Sequence, residues 1–98
     1  MNRKATKKPI EIEYMTFDDI TKLFTTSNGL YDLSREINGH KITMNGSYNG
    51  VPTLYLIKTL EGFHEMTKSD VLIIGIKGEI YPCKKDIFDL TYDYERDN

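Results

Sequence analysis

Apolar and polar positions change period several times along this chain, and each change marks an element. Pro9-Ile10-Glu11-Ile12-Glu13-Tyr14 alternates, with Ile10, Ile12 and Tyr14 on one face and Glu11 and Glu13 on the other. A period of two predicts a half-buried strand, and a proline at its first position costs no ladder donor. Thr16-Phe17-Asp18-Asp19 then reads as a helix start. Thr16 can cap the amide of Asp19, and both acids suit the positive end of a helix. Phe17, Ile20, Leu23 and Phe24 follow helical spacing until Thr25-Thr26-Ser27-Asn28-Gly29 stops them.

Residues 30–39 admit two readings. Leu30, Leu33 and Ile37 have helical spacing, and Asn38-Gly39 ends a helix naturally, so a helix is the first expectation. The alternative feeds a strand pair through an Asn-Gly turn. Asn45-Gly46 and Asn49-Gly50 make 38–52 a glycine-punctuated meander or exposed loop. From Thr53 onward the pattern is β: Leu54–Ile57, a turn at Thr59–Gly62, and a return over Phe63–Thr67. Val71–Ile76 is apolar on both faces, which marks a central strand covered on each side. Lys77-Gly78 turns into Glu79–Pro82, Asp86-Ile87-Phe88 makes one helical turn, and Leu90–Tyr94 alternates as a last strand. The expected fold is a single α+β domain over 9–94, a curved antiparallel sheet carrying one or two short helices.

Composition places that domain among small globular ones. Its 98 residues allow one domain, and 39% hydrophobic residues with seven Tyr and four Phe argue against disorder. The apolar run that begins at Val71 falls far short of a membrane span of roughly 20 residues. No apolar segment follows the basic start, so no signal peptide is expected. A single cysteine, Cys83, suits a reducing cytoplasm. Net charge is only −2, but residues 1–8 form a basic arm with four positive side chains. Residues 86–98 carry five acids against Arg96, ending in an acidic tail over 95–98. A basic arm without a basic stripe argues against duplex nucleic-acid binding.

Catalytic groupings are sparse. His40 and His64 lie in polar surroundings far apart in sequence, no serine sits in a glycine-flanked elbow, and no phosphate-binding loop opens a helix. One Cys and two scattered His give no metal-ligand spacing, so neither a metal nor a cofactor is expected. Cys83 beside Lys84 and Lys85 is the one candidate nucleophile, read instead as a small apolar residue following a strand.

Two segments stand out: Lys58-Thr59-Leu60-Glu61-Gly62, and the run from Gly75 through Lys77-Gly78-Glu79-Ile80-Tyr81-Pro82-Cys83-Lys84-Lys85-Asp86-Ile87-Phe88. With Lys7–Glu13 they resemble a family of small accessory proteins of tailed bacteriophages and prophages, carrying a PGDYG-like domain. The likeness covers 7–17 and 57–94. The family's proline-glycine-aspartate-tyrosine turn reads Lys68-Ser69-Asp70-Val71 here, and Lys85 stands where a proline precedes the last aspartate. The resemblance implies a phage-encoded protein acting in the host cytoplasm. Physically, Asp70 and Gly78 set turns and Tyr81-Pro82 ends an edge strand. Glu79, Cys83, Asp86 and Phe88 complete the motif.

The resulting expectation is a non-catalytic binder that antagonises a host defence, by sequestering a small nucleotide signal or by occupying a defence protein. Lys58, Lys77, Tyr81 and Tyr55 are the candidate ligand residues, ammonium groups for phosphates and rings for bases. Alternatives are inhibition of a host nucleic-acid enzyme through the acidic surface, and a small hydrolase using Cys83 or paired acids. A domain this small has little room for an internal pocket. A homo-oligomer is therefore expected, with Tyr48, Tyr55, Tyr92 and Tyr94 as interface aromatics.

Overall fold

The computed structural model describes residues 2–6 and 8–94, so the acidic tail expected at 95–98 lies outside the described residues. In chain order the elements are β1 (Glu13–Thr16), α1 (Phe17–Phe24), β2 (Ser34–Ile37), β3 (His40–Tyr48) and β4 (Val51–Thr59). They continue with β5 (Gly62–Met66), β6 (Asp70–Ile74), β7 (Ile80–Lys84) and α2 (Lys85–Thr91). The class is α+β. The strands divide between two antiparallel sheets, ordered β1-β6-β7 and β2-β3-β4-β5, rather than forming one curved sheet.

β6 is the central strand of its sheet, and alternation sends its side chains to two different cores. Leu72 joins Ile80, the α1 residues Phe17, Ile20 and Phe24, and Ile42, Tyr55, Ile57 and Met66 of the four-stranded sheet. Val71 and Ile73 meet Phe88 of α2 on the other face, with Tyr14, Cys83, Tyr92 and Tyr94 packed around them. The layers are thus four strands with α1, then three strands, then α2. Thr16 caps α1 as expected. Its hydroxyl accepts the Asp19 amide at 3.1 Å while the Asp19 carboxylate takes the Thr16 amide at 3.0 Å. Among the described residues no helix is long and apolar enough to cross a membrane.

Three expectations are corrected and one open alternative is decided. The first strand begins at Glu13, not Pro9: Glu13 pairs with Ile74, and one step further the β6 chain turns away at Gly75. Residues before 13 therefore find no ladder. The helix first expected over 30–39 is absent, and the alternative reading holds: Ser34–Ile37 is strand β2, joined to β3 through Asn38 and Gly39 at φ 50° and 78°. Two positive φ values make the tight hairpin turn that matches strand twist. Leu30 and Leu33, 66% and 73% exposed, have no core to line a helix against.

Of the two readings of 38–52, a glycine-punctuated meander or an exposed loop, the meander holds: it contains the β3–β4 hairpin, turned at Asn49-Gly50. Asn45-Gly46 does not turn the chain but bulges β3, where a Cβ on Gly46 would stand 3.1 Å from that of Leu54. Finally, Leu90–Tyr94 is not a strand. α2 continues to Thr91, the Tyr92 amide closes its last turn on Phe88, and Leu90 is 89% exposed.

Two outcomes follow from this packing. Ile73→Ala should cost roughly 2–5 kcal/mol in chemical denaturation, because it opens a cavity under α2; an unchanged midpoint would contradict the two-sided burial of β6. Tyr55 is fully buried between Phe17 and Phe24, with its hydroxyl 2.8 Å from Thr21 Oγ1. Burial raises its pKa above the ordinary 10.0. The unfolded chain then loses that proton first, so stability is full below pH 10 and falls as pH rises through the folded value. Tyr55→Phe should show a shallower alkaline loss in melts across that range.

Candidate functional site

Two hairpin turns and one strand end build a groove of about 530 Å³ at the edge of the layer between the sheets. Its lining residues are His40, Thr59, Leu60, Glu61, His64, Glu79, Ile80, Tyr81 and Pro82. The β4–β5 turn is set by Thr59, whose hydroxyl accepts the Glu61 amide at 3.1 Å and donates to the Gly62 carbonyl at 2.9 Å. Gly62 and Gly78 hold φ values of 113° and 82°, which side-chain-bearing residues rarely adopt.

The β6–β7 turn is locked through Glu79. Its Oε2 accepts the Lys77 amide at 3.0 Å, and the carboxylate lies over Gly75 so closely that a Cβ there would stand 1.9 Å from Oε1. Glycine at 75 and glutamate at 79 are therefore one device. On the opposite wall His40 Nδ1 lies 3.1 Å from the Lys58 carbonyl oxygen. A carbonyl only accepts, so Nδ1 is the donor in this contact, the tautomer in which an uncharged imidazole has Nε2 as its acceptor. His64 enters from β5, opposite Ile57. The walls thus offer two carboxylates, two imidazoles and the Thr59 hydroxyl, and no Lys or Arg lines them.

The two segments singled out in the sequence meet here, Thr59–Glu61 on one side and Glu79–Pro82 on the other. Of the four expected ligand residues, Tyr81 borders the groove, but it stands opposite Ile73 and its side chain belongs to the α2 face of the sheet. Burial first, and then the neighbouring Tyr92, raise its pKa. Lys58 touches the wall only through its carbonyl on His40, its ammonium lying 5.9 Å from the Phe63 ring centroid. Lys77 touches it only through its amide on Glu79. Tyr55 must be withdrawn: it is a core residue, unavailable to a ligand or to an interface.

The remaining motif residues serve architecture. Asp70 is buried, takes the Thr67 amide on Oδ2 at 2.9 Å and meets Lys84 Nζ on Oδ1 at 3.1 Å. β7 is an edge strand as expected, but it runs on past Tyr81-Pro82 to Lys84. The Gly75-to-Glu79 and Lys85-to-Ser69 backbone bonds fix its odd positions as the paired ones. Pro82 therefore faces the open edge, where no donor is required. Asp86 accepts the Ile87 amide, and Phe88 centres the core beneath α2.

His40 and His64 were not singled out as a pair by their sequence positions, 24 residues apart. The signal lies in hairpin register: Ile57 pairs with Ile42 on one side and with His64 on the other, and His40 precedes Ile42 by two on the same face. Among the described residues, no group of three or more His, Cys, Asp or Glu is placed to hold a metal ion. Cys83 stands outside the groove, against the α2 core.

Burial, and then the Asp70 and Asp86 carboxylates, push the Cys83 thiol up from its ordinary 9.0. At pH 7 the thiolate fraction is then below that of a free thiol. Iodoacetamide should label Cys83 slowly at neutral pH and faster only above pH 9. Rapid labelling below pH 7, coupled to loss of ligand response, would make it a nucleophile after all.

Compared with models of protein families, with curated proteins and with solved structures, the chain matches none of them.

Proposed function

We propose that this chain is a non-catalytic binding protein of the phage accessory kind its motif resembles. In this reading it works in the host bacterial cytoplasm, as a homo-oligomer, and blocks a host defence by sequestering a small nucleotide-type signal. One observation carries the reading: both motif segments converge on a single groove large enough for a small ligand. The wall chemistry suits the base and sugar of such a ligand better than its phosphates. Carboxylates and the His40 Nε2 accept hydrogen bonds from ring N–H groups, exocyclic amines and ribose hydroxyls. Phosphates would face outward, away from Glu61 and Glu79 and toward solvent or the neighbouring Lys58 and Lys77.

A second reading, occupation of a defence protein, draws on Leu60, which is 89% exposed at the lip of the groove. Thermal shift of the full chain against cyclic and linear nucleotides separates the two. A ligand in large excess over its dissociation constant should stabilise by about 3–4 kcal/mol, several degrees for this size. Glu61→Ala and His64→Ala should lose that shift while melting unchanged without ligand. No shift with any nucleotide, together with capture of one host protein that Leu60→Glu abolishes, would replace the first reading by the second.

A further inference from the structure

Two grooves open at the margins of the layers. One, of about 590 Å³, lies on the α2 side between residues 8–12 and 91–94, with the Tyr14, Phe88 and Tyr94 rings around it. The other is the groove of the two hairpin turns, and strand register gives its walls a definite shape. His64 pairs with Ile57, and Pro82 pairs with Leu72. Ile57 and Leu72 both belong to the core between the sheets. The imidazole therefore points from the four-stranded sheet toward the three-stranded one, and the Pro82 ring points back. Ile80, two residues before Pro82 on the same face, is buried in that core and closes the inner end. β5 packs on β7 across this layer. The gap thus has one conjugated wall, one aliphatic ring opposite it and an apolar end, which suits a flat heteroaromatic ring better than a sugar or a phosphate.

The two carboxylates at the groove are differently engaged. Glu79 is committed to its own turn, with Oε2 on the Lys77 amide and Oε1 against Gly75. Glu61 is placed by its backbone, whose amide donates to Thr59 Oγ1 at 3.1 Å. Among the described residues neither a hydrogen bond nor an ion pair occupies its carboxylate. Two adjacent acceptor oxygens call for two adjacent N–H donors. Of the common bases only guanine carries such a pair, N1–H and N2–H. Adenine, cytosine and uracil set a ring nitrogen or carbonyl acceptor beside their N–H groups, and that lone pair would face the second oxygen. His40 Nε2, the acceptor left when Nδ1 donates to the Lys58 carbonyl, adds to the preference for donors.

We infer that this groove reads guanine, with Glu61 taking N1–H and N2–H while the base lies between His64 and Pro82. The inference rests on the nucleotide reading above and narrows it to guanine nucleotides, their phosphates staying outside the groove.

Titration calorimetry of the full chain tests it, with cyclic and linear nucleotides that share their phosphates and differ in base. Guanine nucleotides should bind about a hundredfold more tightly than the adenine, cytosine and uracil counterparts. Inosine nucleotides, which keep N1–H and lack the N2 amine, should bind about tenfold more weakly than guanosine ones. Glu61→Gln replaces one acceptor by a donor on an exposed side chain, so the unliganded melting should not change. It should erase the difference between guanosine and inosine. His64→Phe, which keeps a flat ring, should retain the binding that His64→Ala loses. Another base bound as tightly as guanine, or guanine binding indifferent to Glu61→Gln, overturns the inference and leaves nucleotide binding standing. No binding by any nucleotide overturns both, and arginine amide bound in their place would assign the same donor pair to a protein side chain.

Discussion

A five-residue strand buried on both faces is what the rest of this protein depends on. β6 has no polar face to give to solvent, so it must be covered twice, and the chain supplies two unrelated covers. On one side lie α1 and the four-stranded sheet, meeting Leu72 through Ile80, Tyr55 and the α1 phenylalanines. On the other lie α2 and the aromatic residues around Phe88, meeting Val71 and Ile73. Burying apolar surface at about 25 cal/mol per Å² rewards each cover separately. The buried Asp70 at the head of the same strand is tolerated because the Thr67 amide and Lys84 satisfy its carboxylate.

The two grooves are products of this layering. Where the four-stranded sheet ends against β7, two hairpin turns cannot close over each other, and their polar residues line the gap. Where α2 folds back over the three-stranded sheet, the coil before β1 and the chain after α2 leave a gap lined with rings. Both gaps open at the margins of the layers, and neither penetrates a core. Each is shaped by backbone devices, the Thr59 and Glu79 turns for the first and the loss of the β1 ladder beyond Glu13 for the second.

What was legible in the sequence was what depends on short range. The Thr16–Asp19 cap, the turn at 59–62, the central strand at Val71 and the Lys77-Gly78 turn can be read from neighbouring residues alone. The ambiguous segments were decided by partners. The helical spacing of Leu30, Leu33 and Ile37 yields to a β3 edge waiting for a strand, and the alternation of Leu90, Tyr92 and Tyr94 yields to a helix packed on β6. Tyr55 shows the limit for sites: a tyrosine in an alternating strand reads the same whether it faces a ligand or a core. The pairing of His40 with His64 needed the registers of two hairpins at once.

Pairing order in the two sheets has a kinetic side. Every seam of β2-β3-β4-β5 joins strands consecutive in the chain, with turns of a few residues between them. The β1–β6 seam instead closes a loop of roughly 50 residues, from Thr16 to Val71. Loop-closure entropy grows only logarithmically, yet the difference is on the order of 2–3 kcal/mol against a two-residue hairpin turn. A chain gains little from meeting that cost before the contacts that offset it exist, and here those contacts lie on both faces of β6. The four-stranded sheet is thus the part the topology lets form early, and the seam that joins the first strand to the sixth is the part it leaves for last.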